Sequence, residues 1–386
     1  MGGMRYSRLF LRAVGDHFHV VSRIVGREFL LGEEEKRVFH GIMRRLERHA
    51  GVQVLTYCLM DNHVHLLLRT EEIDGESMSD GELIGRVGGM YSRALGRELE
   101  WQLATWREKK NENMIRFWRE KYLARLGNLS EFMWLLKNRF SKWYNAENDR
   151  HGTLWEDRYK VVLVQDSEAV LVKIGAYIDL NPVRAGMVED PAEYGWSGYG
   201  EASGIGKRKQ RQSQQQKQKG SMKTAARTGS TSAATSAASV AAARAGIGRI
   251  TGAGSGPGRG WKEAGPMYRM VLFSEGVERT PGAKVEVVRD RSGKEVKRKA
   301  ISTEAAEKVV KQRGEVDRHD RRERLLDRVR EFTEGVIVGS REFVDRIFAQ
   351  QPAEVRGKRK TGARKMRGDE WGVSGGLFAL RELRTK

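Results

Sequence analysis

Two histidines stand one residue apart in Asp61-Asn62-His63-Val64-His65-Leu66-Leu67-Leu68, directly after the apolar run Val52–Met60. Successive strand side chains alternate faces, so His63 and His65 point one way and Val64, Leu66 and Leu68 the other. The second face can pack into a core. The first presents two imidazoles on a fixed backbone, which is half of a divalent-metal site awaiting an oxygen or nitrogen ligand from elsewhere. Met60-Asp61-Asn62 reads as a hairpin connection, so the pair starts a strand near a sheet's rim. Taken alone, a His-x-His pair more often marks ordinary core or surface histidines.

A second feature lies more than a hundred residues on, in Tyr177-Ile178-Asp179-Leu180-Asn181-Pro182. The segment Asp166–Leu180 has a start signal in Asp166 and Ser167, a stop in Pro182, and Val170, Leu171, Ile174 and Ile178 at helical spacing. A helix continuing to Asn181 puts Tyr177 and Asn181 on one face. Each residue also has an ordinary reading: Tyr177 as an amphipathic packing residue, Asn181 as a helix C-terminal cap before proline.

The elements that must position these groups alternate. Phe18–Ile24 is a predicted strand with His19 and Val21 on one face, and Glu33–Ala50 a charged helix with the stripe Val38, Ile42 and Leu46. Val52–Leu59 and His63–Arg69 form a hairpin. A helical region runs from Ser79 to about Asn145, and Val161–Gln165 is a further strand. Strands separated by helices with a central hairpin predict an α+β fold, an antiparallel sheet flanked by helices.

The chain has 386 residues, 71 Lys and Arg against 51 Asp and Glu, a net charge of +20 and a pI near 10.0. Clustered cations gain affinity by displacing counterions from phosphates, so a polyanionic partner is favoured; ribosome-associated or membrane-surface proteins share this balance. The single cysteine, Cys58, excludes an intrachain disulfide and fits a reducing compartment. With no signal-peptide pattern and no long apolar run, no membrane association and a cytoplasmic location are expected. After about Glu201 the composition changes. Gly206–Gly220 is basic and Gln-rich, Ser221–Gly260 is rich in Ala, Ser, Thr and Gly, and a flexible tether is predicted there. Order is expected again from about Pro266, with polar strands in Val285–Lys299, a charged helix in Arg318–Phe332 and a short helix in Glu342–Phe348. The predicted division is 1–201, 202–265 and 266–386.

His63-Val64-His65 after its turn, Gly152-Thr153-Leu154-Trp155-Glu156-Asp157-Arg158-Tyr159-Lys160, and Tyr177-x-x-x-Asn181-Pro182-Val183-Arg184-Ala185-Gly186 occur in that order. With Leu129–Asn145 and Trp196-Ser197-Gly198-Tyr199, they resemble the HUH single-tyrosine transposases. More narrowly, they resemble REP-associated tyrosine transposases and insertion-sequence-200-like relatives, over the first two hundred residues. The pieces Met267–Phe273 and Gly335–Phe348 resemble those of longer members.

The resemblance implies a ferredoxin-like or RRM-like antiparallel sheet, the HUH endonuclease fold. It implies His63, His65 and Asn181 as ligands of Mg²⁺ or Mn²⁺, with Tyr177 as nucleophile toward single-stranded or hairpin DNA. Tyr144 and Tyr159 compete for that role, but neither has the adjoining helix stop that Pro182 supplies after Tyr177 and Asn181. Many relatives carry Gln where this chain has Asn181. A monomer or homodimer working in the bacterial cytoplasm or nucleoid follows from the same likeness. For such a partner, Arg158 and Lys160 are candidate phosphate contacts, and Arg139 and Lys142 a basic helix face. Trp155 reads equally as a base-stacking ring or a core residue.

Overall fold

The histidine hairpin lies at one side of a seven-stranded sheet, next to the first strand. In the computed structural model, residues 16–205, 231–251, 335–351, 359–366 and 376–381 are described, with strands 287–289 and 295–297 and the single positions Gly265, Tyr268, Leu272, Phe332 and Arg356. In chain order come β1 (His17–Arg23), α1 (Glu33–Ala50), β2 (Val52–Leu59), β3 (His63–Thr70), α2 (Asp80–Met90), α3 (Arg93–Glu108), α4 (Glu112–Leu123) and α5 (Leu129–Glu147). Then follow β4 (Lys160–Val164), α6 (Glu168–Asp179), α7 (Asn181–Arg184), α8 (Gly198–Ser203), α9 (Thr231–Ile250), β5 (Val287–Arg289) and β6 (Glu295–Lys297). The chain continues with β7 (Gly335–Gly339), α10 (Arg341–Ala349), β8 (Arg364–Lys365) and β9 (Phe378–Arg381).

Strand order is β2-β3-β1-β4-β7-β9-β8, with β5 and β6 a separate pair. Within the first four strands every neighbour is antiparallel, and the β1-α1-β2 crossover leaves room for β3 between its strands. This is the ferredoxin-like arrangement. The fold is α+β, as expected.

Two opposite faces follow from the registers Val21↔His65, Arg23↔His63, His19↔Leu67 and His19↔Val162. One face carries Phe18, Val20, Val64, Leu66 and Leu68, all buried. On that side α1 and α5 pack, with the Phe39 and Phe140 rings 5.2 Å apart and Trp155 against both. Burying each such ring stabilises the fold by about 2 kcal/mol. The other face carries His17, His19, Val21, His63 and His65, and α6 lies over it. Helix α1 ends at Gly51, whose φ of 66° is left-handed and whose Cα lies where a side chain would strike the Gly127 backbone.

The helical region expected over 79–145 is four helices. Ser79, Ser92, Asn111 and Asn128 each accept a backbone N–H of the following turn, so each restarts the helix with an N-cap. The expected short helix near 342–348 is α10, and the strands expected in 285–299 are β5 and β6. The basic stretch Gly206–Gly220 lies outside the described residues, as does the Arg318–Phe332 helix apart from Phe332 itself.

The stretch expected to be a tether contains α9. Ala243, Ile247 and Ile250 are buried, and Gly246 lies so close to the Leu55 carbonyl that any Cβ there would clash. Alanine-rich sequence reads as low complexity, yet alanine is also the best helix former, and a few apolar residues suffice to anchor it.

Later residues also reach the first two hundred. Strand β7 pairs in parallel with β4, and Tyr268 donates to Asp179 at 2.8 Å. A cut after residue 201 also falls inside α8. We therefore expect a chain ending at residue 205 to unfold at markedly lower urea than the full chain, or to aggregate on gel filtration. Equal urea midpoints would show that residues 1–205 are self-sufficient.

Candidate active site

Helix α6 carries Tyr177 onto the histidine face. Ring centroids of Tyr177 and His65 are 6.1 Å apart and nearly perpendicular, and His63 and His65 are 5.0 Å apart. Tyr177 and His65 are buried, while His63, at the rim, is half-buried. The structure thus brings His63, His65 and Tyr177 together. The competing tyrosines sit elsewhere: Tyr144 is buried beside Phe140 on α5, and the Tyr159 hydroxyl lies 3.3 Å from Ser130 Oγ.

Asn181 does not continue the same helix. Helix α6 stops at Asp179, and Asn181 opens the short α7. Pro182 has no N–H for the Ile178 carbonyl, so that carbonyl lacks its helical i+4 donor. The Asn181 side chain fills the gap, donating from Nδ2 to Ile178 O at 3.0 Å and Tyr177 O at 3.2 Å. Both bonds use Nδ2, so Oδ1 is the atom with which Asn181 would meet a cation. The capping reading and the ligand reading are compatible in one side chain.

Three groups join the site that the sequence motifs did not single out. His19, fully buried, places Nε2 3.0 Å from His65 Nδ1, and its own Nδ1 is 2.5 Å from the Phe332 carbonyl. Arg184 lies over the Tyr177 ring, its guanidinium carbon 4.4 Å from the centroid, and donates to the Tyr177 carbonyl. A guanidinium there packs on the ring face and holds it in place. Asp179, also fully buried, accepts from Thr56 Oγ1 (2.8 Å), the Tyr199 N–H (2.9 Å) and Tyr268 Oη (2.8 Å), tying α6 to β2, α8 and the later chain. His19 had a signal in sequence: it shares its strand face with Val21, and one strand pairing brings that face beside His65. Arg184 and Asp179 had none that separates them from ordinary helix-end residues.

Burial sets the charge state here. It pushes Asp179 up to about 6 against the hydrogen bonds that favour the carboxylate. Burial lowers His19 to about 4, opposed by its bond to the Phe332 carbonyl. It also holds His65 well below the usual imidazole range, helped by His63, His19, Arg184 and Arg23. His65 is therefore a neutral imidazole with a lone pair to offer. Among the described residues, no group of three or more His, Cys, Asp or Glu side chains is arranged to hold a metal ion. A two-imidazole, one-amide set is a different donor set, which needs phosphate oxygens to complete it.

His17, further along the same face, has a measurable consequence. Burial lowers its imidazole to about 4, opposed by Asp166 and aided by Arg69 and Arg249. A folded value below the unfolded 6.5 means that the stabilisation is complete above pH 6.5 and is lost as pH falls from there toward 4. We expect about 2 kcal/mol to be lost from this group by pH 5. The urea midpoint of His17→Gln should fall less between pH 7.5 and pH 5 than that of the unsubstituted chain. Parallel curves would refute the assignment.

The other expected contacts divide. Arg158, Lys160 and Lys142 are exposed. Lys160 pairs in register with Val21 on the histidine face, two residues along β1 from Arg23, which pairs with His63. Trp155 is a core residue: it is buried, packs on Phe39 and Phe140, and donates from Nε1 to Ser141 Oγ at 2.9 Å, so it offers no ring to a base. Arg139 is half-buried and donates to the Met90 and Tyr91 carbonyls, closing the end of α2 rather than facing a ligand.

Residues 14–126 match the family model described as transposase, IS200 like. That segment belongs to the IS200-like transposase family. It contains β1, α1 and the β2–β3 hairpin with His63 and His65; Tyr177 and Asn181 lie beyond it. No curated protein matches the chain. Among solved structures, one of a REP-associated tyrosine transposase bound to a REP hairpin aligns at 12% identity, covering 48% of this chain and 77% of that one with a TM-score of 0.26. No helix among the described residues is long and apolar enough to cross a membrane.

Proposed function

We propose that this chain is a transposase that cleaves and rejoins single-stranded DNA through a 5′-phosphotyrosine at Tyr177, in DNA transposition or repeat-element mobilisation. The observation that supports this reading is the packing of the Tyr177 ring 6.1 Å from His65, on the strand face that also carries His63. A nucleophile and a pair of imidazoles from distant parts of the chain meet there.

His63, His65 and the Asn181 amide oxygen would hold Mg²⁺ or, with better tolerance of nitrogen, Mn²⁺. Such an ion, when bound, polarises the scissile phosphate and neutralises its charge. The phenol of Tyr177 loses its proton, and its oxygen bonds to phosphorus as the P–O3′ bond breaks and the 3′ oxygen gains a proton, while Arg184 would hold the ring in place. Because the phosphotyrosine keeps the energy of the broken linkage, a 3′ hydroxyl can reverse the step without a nucleoside triphosphate. Arg23, Lys160, Arg158 and Lys142 would meet backbone phosphates, of single strands or of a hairpin.

Incubating the full chain with labelled single-stranded DNA and Mn²⁺ tests this directly. A covalent protein–DNA band on a denaturing gel supports the proposal. DNA retention without any such band would leave a nucleic-acid-binding protein that keeps the fold without the chemistry.

A further inference from the structure

Hydrogen-bond direction on the histidine face determines which ring nitrogens carry protons, and it does so from outside the pair. A backbone carbonyl only accepts, so the 2.5 Å contact of His19 Nδ1 with Phe332 O puts the proton of His19 on Nδ1. In a neutral ring, His19 Nε2 then holds a lone pair. That nitrogen lies 3.0 Å from His65 Nδ1, with the two ring planes only 20° apart, so the bond runs in the plane of both rings. His65 must be the donor, with its proton on Nδ1 and its lone pair on Nε2.

His63 is set independently. The Asn62 amide is oriented by Nδ2 donating to Arg27 O at 3.2 Å, which turns Oδ1 toward His63 Nδ1 at 2.6 Å. An amide oxygen also only accepts, so His63 too is protonated on Nδ1.

We propose that His19 is a positioning residue: the Phe332 carbonyl and His19 form a relay that fixes His65 as the Nδ1–H tautomer, as Asn62 does for His63, so that both present Nε2 lone pairs. This deepens the proposed function and rests on it for its purpose, since two lone pairs on one strand face are what a divalent ion requires. The relay also gives the later chain a role at the site, because Phe332 lies 313 residues from His19. A ligating imidazole whose other nitrogen is held by a partner is better oriented and more basic, and loss of such a partner costs about 10- to 100-fold in metal affinity.

The test uses the full chain labelled with ¹⁵N-histidine. Two-bond proton–nitrogen correlation spectra of the metal-free protein should show His63 and His65 as Nδ1–H tautomers. In His19→Phe, His65 should lose its fixed tautomer, and Mn²⁺ affinity, measured by calorimetry, should fall about 10- to 100-fold. His19→Gln supplies an amide oxygen near the Nε2 position and should restore most of both. His65 found as Nε2–H in the unsubstituted chain would overturn the proposal, as would His19→Phe leaving the His65 tautomer and the Mn²⁺ affinity unchanged. Should His19→Phe not fold, the unsubstituted spectrum and His19→Gln still decide. The metal-free spectrum stands apart from the adduct assay, so failure of the relay and failure of the proposed chemistry are separately visible.

Discussion

Tyr177→Phe should abolish the covalent protein–DNA adduct while leaving folding and DNA retention nearly intact. The substitution keeps the ring that packs on His65, His19 and Phe332, and keeps the face that Arg184 covers. It removes only the oxygen able to attack phosphorus. The stability cost of one lost hydroxyl is about 1 kcal/mol, which a urea curve resolves. Tyr144→Phe and Tyr159→Phe should both keep the adduct, because those rings belong to α5 packing and to a contact with Ser130. An activated water at the ion forecasts something else, continued cutting by Tyr177→Phe with a free 5′ phosphate. Peptide mass mapping of the adduct to another tyrosine would also overturn the assignment.

Replacing both His63 and His65 with Ala should eliminate Mn²⁺-dependent cleavage, with no more than a modest loss of single-strand affinity. The asymmetry comes from where each energy resides. On the proposed function, cleavage would need charge neutralised at one phosphate, whereas retention would sum contacts over exposed cations such as Arg158, Lys160 and Lys142. The steep dependence of retention on salt should therefore survive the double substitution. His65 is buried, so Ala there leaves a cavity, and a His63→Ala single variant at the half-buried rim separates loss of chemistry from loss of fold. Cleavage that persists in the double variant, or in excess chelator, would remove the ion from the mechanism.

The sequence by itself determined what depends on local geometry. Strand alternation places His63 and His65 on one face without knowledge of any neighbour, and the same parity puts His19 beside Val21. Apolar spacing and the stop at Pro182 delimit the helix that bears Tyr177. The alternation of strands and helices is enough for an antiparallel sheet with flanking helices. Family resemblance adds the pairing of that tyrosine with those histidines, and the matched segment carries the histidines alone.

What only the tertiary structure decided depends on partners far apart in the chain. Trp155 had two readings, and its surroundings chose the core one, while Arg139, expected on a basic helix face, is instead used up on open helix carbonyls. Asn181 was a cap or a ligand in sequence, and the break before Pro182 makes it a cap whose oxygen is still chemically suited to an ion. Low complexity hid α9, because composition counts apolar residues but does not know that a sheet edge will cover them. Strand parity put His19 on the face of His65, but the link onward from His19 to the Phe332 carbonyl had no sequence signal. Propensity and periodicity act over a few residues, whereas the direction of a buried hydrogen bond is set by whichever acceptor the fold delivers.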